Sequence, residues 1–299
     1  MRERLIESST NSEAAGKSPR QVSVSNAIER LKSLHDGDRV FSEVVAFGIE
    51  AVPELRALLF KREPSGLYVA RRRAVEALAA LNSFDTLGEF LRLNREIEDP
   101  VERVGEEVVI SAAASLIARL HDDWVYNLLL DLTKRHVLSG VLAGLGEFKR
   151  PGSIPLLIRA LSEDEVRPTA EAVLRSFGRA ARPQLVRAAN PSKDRVQPGN
   201  ETNLRARRSA IRVLLDIGVT RMDWPLLRPL MQDEDLRIAI LACMACAGVG
   251  TAADRLDAAA RLALLRNRGD WLQRQQIDEI AERLAAMRSA KRGSAVDGN

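Results

Sequence analysis

Two cysteines, Cys243 and Cys246, form a C-x-x-C motif in the stretch ILACMACAGVG. Three interpretations fit this spacing: a redox dithiol, half of a zinc site, or two small packing residues of a helix. A reactive thiol needs the start of a helix, where the helix dipole stabilises a thiolate, but these cysteines fall near a predicted helix end. A structural zinc needs four ligands, and the histidines lie far away in the sequence. We therefore predict two packing residues.

Four arginines stand three or four residues after a proline, namely Arg56, Arg159, Arg187 and Arg228. Guanidinium groups bind carboxylates and phosphates through paired hydrogen bonds, so a row of them could clamp an acidic peptide or a phosphate backbone. The alternative is a solvated helix face on which arginines lie near the negative helix end. The net charge of +4 and the 4% aromatic content favour an acidic protein over nucleic acid.

Motifs of the common enzyme classes are missing from the sequence: it has no G-x-G-x-x-G, P-loop, H-E-x-x-H or G-x-S-x-G. We therefore predict no cofactor, no metal and no catalytic residues. No apolar run approaches the ~20 residues that span a bilayer, so we expect no membrane partner. The opening residues lack the apolar core of a secretory signal, and the cysteine usage is typical of a reducing compartment, so we expect a cytoplasmic protein.

A repeated pattern indicates how the chain would position these residues. An arginine stands eleven residues before a glycine or asparagine at five places, Arg71–Asn82, Arg135–Gly146, Arg167–Gly178, Arg207–Gly218 and Arg237–Gly248. Eleven residues make about three helical turns, and glycine or asparagine closes a helix because it accepts a left-handed backbone. Adding Gly48 and His121 gives seven predicted helix ends.

A second, shorter helix is predicted after each of these ends, with proline in its first turn at four places, Pro53, Pro155, Pro183 and Pro225. Each unit is therefore a longer helix A, a turn and a shorter helix B, and the four arginines lie on the four B helices that begin with proline. Polar insertions interrupt the series at residues 95–104 and 190–203. Residues 1–24 and 289–299 are predicted to be disordered tails, and residues 251–288 two capping helices.

These units resemble the HEAT repeat family in its short bacterial form, which is also found in phycobilin lyases. The resemblance covers residues 37–248 and is carried by AVPELRALL, VRPTAEAVL and ARRSAIRVLLDIG. It implies an all-α, right-handed superhelical solenoid of about seven helical pairs over residues 25–250, with the B helices on its concave surface. It also implies a terminal cap, since end units must meet water. The resemblance further implies that the arginines at the start of the A helices join neighbouring repeats by pairing with acidic or carbonyl groups, a series that consists of Arg71, Arg167, Arg207 and Arg237.

Each tryptophan follows an aspartate directly, in the pairs Asp123–Trp124, Asp223–Trp224 and Asp270–Trp271. HEAT-like alkylpurine DNA glycosylases hold a damaged nucleotide with an aspartate and aromatic residues, so Trp124 and Trp224 are candidate partner-binding residues. The alternative is structural: the aspartate caps a helix and the tryptophan packs in its first turn. Recurrence on three helices favours the structural interpretation.

The sequence thus predicts a non-catalytic scaffold that binds an acidic protein segment on its concave face. The candidate residues are Arg56, Arg159, Arg187, Arg228, Trp124 and Trp224. Two alternatives stay open: a DNA-binding or DNA-repair protein of the HEAT-like kind, and a tetrapyrrole chaperone that resembles the phycobilin lyases.

Overall fold

A computed structural model describes residues 18–33, 35–62, 64, 67–190 and 201–296. All regular secondary structure in these ranges is helical, and they contain no strand. The prediction of an all-α fold is therefore confirmed. The chain divides into two compact units, with the boundary between Phe148 and Lys149.

The first unit contains eight α-helices in its described residues. They are α1 (Pro19–Leu31), α2 (Gly37–Ala46), α3 (Val52–Phe60), α4 (Val69–Ala80), α5 (Phe84–Arg92), α6 (Pro100–Ile117), α7 (Asp123–Leu132) and α8 (Ser139–Glu147). Helices α2, α4, α6 and α8 pack in order against one another and form an A row, while α1, α3, α5 and α7 form a B row. Leucine, alanine and valine side chains fill the space between the rows.

The second unit repeats this alternation. Its described α-helices are α9 (Ile154–Ala160), α10 (Arg167–Phe177), α11 (Arg182–Ala189), α12 (Glu201–Ile217), α13 (Trp224–Leu227), α14 (Leu236–Val249), α15 (Ala252–Arg266) and α16 (Trp271–Val296). Helices α10, α12, α14 and α16 form the A row. The B row consists of α9, α11, α13 with its following 3₁₀ turn Arg228–Gln232, and α15.

Five of the seven predicted helix ends are confirmed by a left-handed backbone. The φ angle is positive at Gly48, Asn82, His121, Gly178 and Gly218. The prediction is wrong at Gly146, which lies inside α8, because the left-handed residue there is Lys149. It is also wrong at Gly248, which lies inside α14; that helix ends at Gly250 with an extended backbone.

Gly178 and Gly248 make a matched pair for testing these turns, because an added Cβ would meet no atom within 4 Å at either position. Gly178 has φ 55° and ψ −126°, a conformation that alanine adopts only with strain. We expect Gly178→Ala to lower the free energy of unfolding by about 1–3 kcal/mol. Gly248→Ala should raise it by about 0.5–1 kcal/mol, since alanine favours a helix. Urea unfolding measures both, and equal effects would contradict the turn assignment.

Arginines reach back to the carbonyl oxygens at the ends of B helices, as predicted for most of the series. The Nε–H of Arg71 donates to Leu59 at 2.9 Å, that of Arg167 to Leu161 at 3.0 Å and that of Arg207 to Ala189 at 3.1 Å, while Arg135 donates to Leu93 through Nη1. The prediction is wrong for Arg237, which is exposed. Arg261 on α15 takes its place and donates to the carbonyl of Met231.

The tails and insertions differ from their predicted bounds. Helix α1 begins at Pro19, inside the predicted tail 1–24, and α16 continues to Val296, past residue 289. Half of the insertion 95–104 belongs to α6, whose first turn is capped by Asp99. Most of the insertion 190–203 lies outside the described residues, and its last residues open α12.

Candidate functional site

Both cysteines are buried packing residues of α14, as predicted. Cys243 and Cys246 are free thiols without measurable exposure. Burial raises the pKa of Cys243 to about 12 and that of Cys246 to about 11. A thiol with such a pKa stays protonated at neutral pH and is a poor nucleophile.

In the first unit, the candidate arginine is already paired within the protein. Arg56 on α3 donates from Nε and Nη2 to Glu89 on α5, at 3.2 and 3.0 Å. Its guanidinium also lies over the ring of Phe60, 4.6 Å from the centroid. Both contacts neutralise or cover the charge, although the pair is half-exposed. Arg56 is therefore a link between two B helices rather than an open binding group.

The second unit contains the other three candidate arginines, of which one is paired within the protein and two are open. Arg228, on the 3₁₀ turn after α13, forms ion pairs with Asp254 at 2.8 Å and Asp257 at 3.5 Å, both on α15. Arg159 on α9 and Arg187 on α11 are exposed, and their guanidinium groups make no hydrogen bond or ion pair with any residue that the structure describes. Of the four candidate arginines, only these two present a guanidinium group that is open to a partner, which the sequence predicts for all four.

The two open arginines hold equivalent places on helices that pack directly against each other. Arg159 stands four residues after the exposed Pro155, and Arg187 four residues after the exposed Pro183, so each pair lies on one helix face. Neighbouring helix axes lie about 8–10 Å apart. The two arginines therefore occupy equivalent exposed positions on neighbouring helices of the B row.

No carboxylate accompanies them within this part of the B row. Helices α9 and α11, and α13 with its 3₁₀ turn, carry four arginines and not one aspartate or glutamate. In the first unit, by contrast, α3, α5 and α7 all carry acidic residues. We call the exposed side of α9, α11 and α13 with its turn the basic B-row face. Its arginines are Arg159, Arg182, Arg187 and Arg228, of which Arg182 is half-buried and faces Asp223 at 3.6 Å.

The two candidate tryptophans are packing residues. Trp224 is only 5% exposed, and its indole N–H donates to Asp254 at 2.9 Å. Trp124 is half-buried beneath the guanidinium of Arg92, 5.0 Å from the ring centroid. The burial of Trp224 and the guanidinium that covers the ring of Trp124 favour the structural interpretation for both.

The predicted capping by the aspartates is confirmed at one pair only. Asp270 accepts a hydrogen bond from the amide of Gln273 at 2.8 Å. Asp123 lies within α7, whose cap is Asp122, and Asp223 uses its carboxylate on Thr220 instead of on the helix. The helices at Trp124 and Trp224 therefore begin without the predicted side-chain cap.

Asp254 organises the neighbourhood of Trp224 and Arg228, and the sequence interpretation missed it. Its carboxylate accepts hydrogen bonds from the amide and hydroxyl of Thr251, from Trp224 and from Arg228. The amide of Thr251, ahead of the other donors, holds the pKa of Asp254 below its ordinary value of 3.8. A signal was present, because Thr251 and Asp254 have the spacing of a capping box.

The described part of the chain offers neither a metal site nor a membrane-spanning helix. Nowhere in it do three histidine, cysteine, aspartate or glutamate side chains gather in a way that could hold a metal ion. None of the helices described there is both long and apolar enough to cross a bilayer. The sequence matches no protein-family model, and no curated protein shows significant similarity to it. Inference about function therefore starts from the basic B-row face.

Proposed function

We propose that the protein is a cytoplasmic, non-catalytic scaffold that binds an acidic segment of another protein on the basic B-row face. The observation that carries this proposal is the pair Arg159 and Arg187, which are exposed, form no ion pair with a described residue and lie on adjacent helices that lack carboxylates. Each guanidinium offers a planar set of donors that fits a carboxylate, so two of them can hold two acidic side chains of one segment.

The proposed architecture is a right-handed HEAT-like solenoid of about seven helical pairs with a C-terminal cap. Support comes from the alternation of A and B rows in each unit, the left-handed turns and the arginines that reach back to B-helix ends. Stacked helix pairs of this kind bury their apolar faces against neighbours and leave a surface for a partner. The B row would line that surface.

An acidic protein suits the face better than nucleic acid does. Phosphate-backbone binding draws on many cations, and duplex binding weakens steeply with salt. The basic B-row face has two open arginines, and the whole chain has a net charge of +4. Leu226 on α13 is also exposed, which suits a segment that combines acidic and apolar side chains.

The test is capture of partners from the native cell by the tagged protein and by the charge-reversal variant Arg159→Glu/Arg187→Glu. We expect the variant to lose the partner, because like charges placed against an acidic segment cost several kcal/mol. Both side chains are exposed and form no ion pair with a residue that the structure describes, so the variant should unfold at the same urea concentration as the parent.

The matched control is Arg237→Glu/Arg268→Glu, which makes the same charge change at two exposed arginines of the same unit outside the basic B-row face. It should capture the partner as the parent does. Equal capture by both double variants would exclude the face as the binding site. Capture of duplex DNA that is lost with rising salt would favour the DNA-binding alternative. A purified protein that is coloured would favour the tetrapyrrole chaperone.

A further inference from the structure

The outer face of α15, the last described helix of the B row, is apolar. Seven residues between Ala252 and Leu265 are exposed, and all of this stretch is described. The seventh and only charged member is Asp257, which forms an ion pair with Arg228. Leu256 is 50% exposed and Leu264 64%. The other six exposed residues, which we call the α15 patch, are Ala252, Ala253, Leu256, Ala260, Ala263 and Leu264.

An apolar outer face is unusual at the end of a row of packed helices. A terminal unit normally turns a polar face to water, because no further unit covers it. Helix α16 follows that rule, since its exposed residues between Arg274 and Arg283 are all polar or charged. Helix α15 packs against α14, α16 and the 3₁₀ turn Arg228–Gln232, and the α15 patch stays open. The patch therefore has the composition of a helix face that another helix covers.

The spacing within the patch is symmetric about Ala260. Leu256 stands four residues before it and Leu264 four residues after it, so all three lie on one face of the helix. When two copies of α15 pack antiparallel and cross at Ala260, Leu256 of each copy meets Leu264 of the other. The two small alanines let the helix axes approach closely at the crossing. Such a contact is self-complementary, as a two-fold interface between identical subunits must be.

The charges around the patch also suit a second copy. Asp257 has Arg228 as its counter-ion, so the pair brings no unpaired carboxylate into the contact. Antiparallel packing sets the positive N-terminal end of each helix beside the negative C-terminal end of the other. A strongly charged segment would find no opposite charge on the patch, whereas an identical apolar face matches it.

We propose that two copies of this protein associate through the α15 patch as an antiparallel, two-fold symmetric pair of helices. A standard interface buries about 800 Å² per partner over about 20–30 residues. The patch is smaller than that, even with the exposed Trp271 and Leu272 at the start of α16. We therefore expect a weak dimer, with a Kd on the order of 10 μM. The proposal does not depend on binding at the basic B-row face.

Disulfide trapping tests the crossing point. Ala260→Cys places a thiol where the two copies meet, within the ~7 Å between Cα atoms that a disulfide can span. Ala252→Cys is the matched control on the same face, because its two copies would lie about 24 Å apart at opposite ends of the pair. The native Cys243 and Cys246 have no measurable exposure. Under mild oxidation we expect a covalent dimer with Ala260→Cys and none with Ala252→Cys.

Analytical ultracentrifugation measures the dimer without a crosslink. Leu264→Asp should raise the Kd at least about tenfold, because each copy would bury a carboxylate against Leu256 of the other. The variant should keep its helical circular dichroism signal, since Leu264 is exposed in the monomer. Leu226→Asp makes the same change at a leucine of α13 that is 54% exposed outside the patch, and it should dimerise as the parent does.

Any of three outcomes would overturn the proposal. A parent protein that stays monomeric up to about 1 mM would leave the patch to a different protein. Equal crosslinking of Ala260→Cys and Ala252→Cys would contradict the antiparallel crossing. Dimerisation of folded Leu264→Asp with the Kd of the parent would place the interface elsewhere.

Discussion

Leu214→Asp is expected to remove a large part of the folding free energy of the protein. Leu214 on α12 and Leu174 on α10 have no measurable exposure and lie between the rows of the second unit. Replacing either with aspartate removes apolar contacts and buries a carboxylate without a partner. We expect a loss of about 4 kcal/mol or more, against the 5–15 kcal/mol that typically stabilises a protein.

The measurement is urea unfolding followed by far-ultraviolet circular dichroism. Leu264→Asp is the matched control, because Leu264 on α15 is 64% exposed and its replacement leaves the core intact. Leu214→Asp should lose its helical signal at far lower urea than the control does. Similar transitions in the two variants would mean that the inward faces of the helices are assigned wrongly.

Arg207→Met should lower the free energy of unfolding by about 3–5 kcal/mol, which is the second-largest effect that we expect. Arg207 lies almost fully buried on α12, where it donates to the carbonyl of Ala189 and pairs with Asp233. Methionine keeps much of the volume but leaves a carbonyl and a carboxylate without their donor. The loss therefore measures the hydrogen bonds and the ion pair, with little contribution from packing.

Arg237→Met is the control for Arg207→Met, because both arginines hold the same position in the repeated sequence pattern. Arg237 is exposed and donates to no described residue, so its replacement should stay within about 0.5 kcal/mol. Urea unfolding measures the loss of stability in each of the two variants. A loss at Arg237 as large as at Arg207 would show that burial does not set the contribution of these arginines.

The turns were predictable because a local requirement fixes them. A helix that ends in a left-handed residue needs glycine, asparagine or another tolerant side chain, and Gly48, Asn82 and Gly218 meet that need within their own segments. Local rules of this kind can be read from one sequence.

The two wrong turns have causes outside their own segments. Helix α8 continues beyond Gly146 because Phe148 packs against Tyr126 and His121, with centroids 5.4 and 5.8 Å apart, and the reversal follows at Lys149. Helix α14 continues beyond Gly248 to Gly250, where a Cβ would lie 2.5 Å from the sulfur of Cys246. In both cases, tertiary packing determines the residue at which the helix ends.

The partners of the candidate arginines could not be predicted from spacing. Arg56 meets Glu89 on α5, the next helix of the B row, and Arg228 meets Asp254 at the start of α15. Either arginine looks as available in the sequence as Arg159 or Arg187 does. Only the packing of neighbouring helices distinguishes a paired guanidinium from an open one.

Selection from a random displayed-peptide library is the most direct test of binding by Arg159 and Arg187. The purified protein serves as bait, and the affinity of each enriched peptide is then measured for Arg159→Glu/Arg187→Glu and for Arg237→Glu/Arg268→Glu. We expect peptides rich in aspartate and glutamate that lose at least about tenfold in affinity for the first variant and keep it for the second. Peptides without acidic enrichment, or with equal affinity for both variants, would contradict binding of an acidic segment at these two arginines.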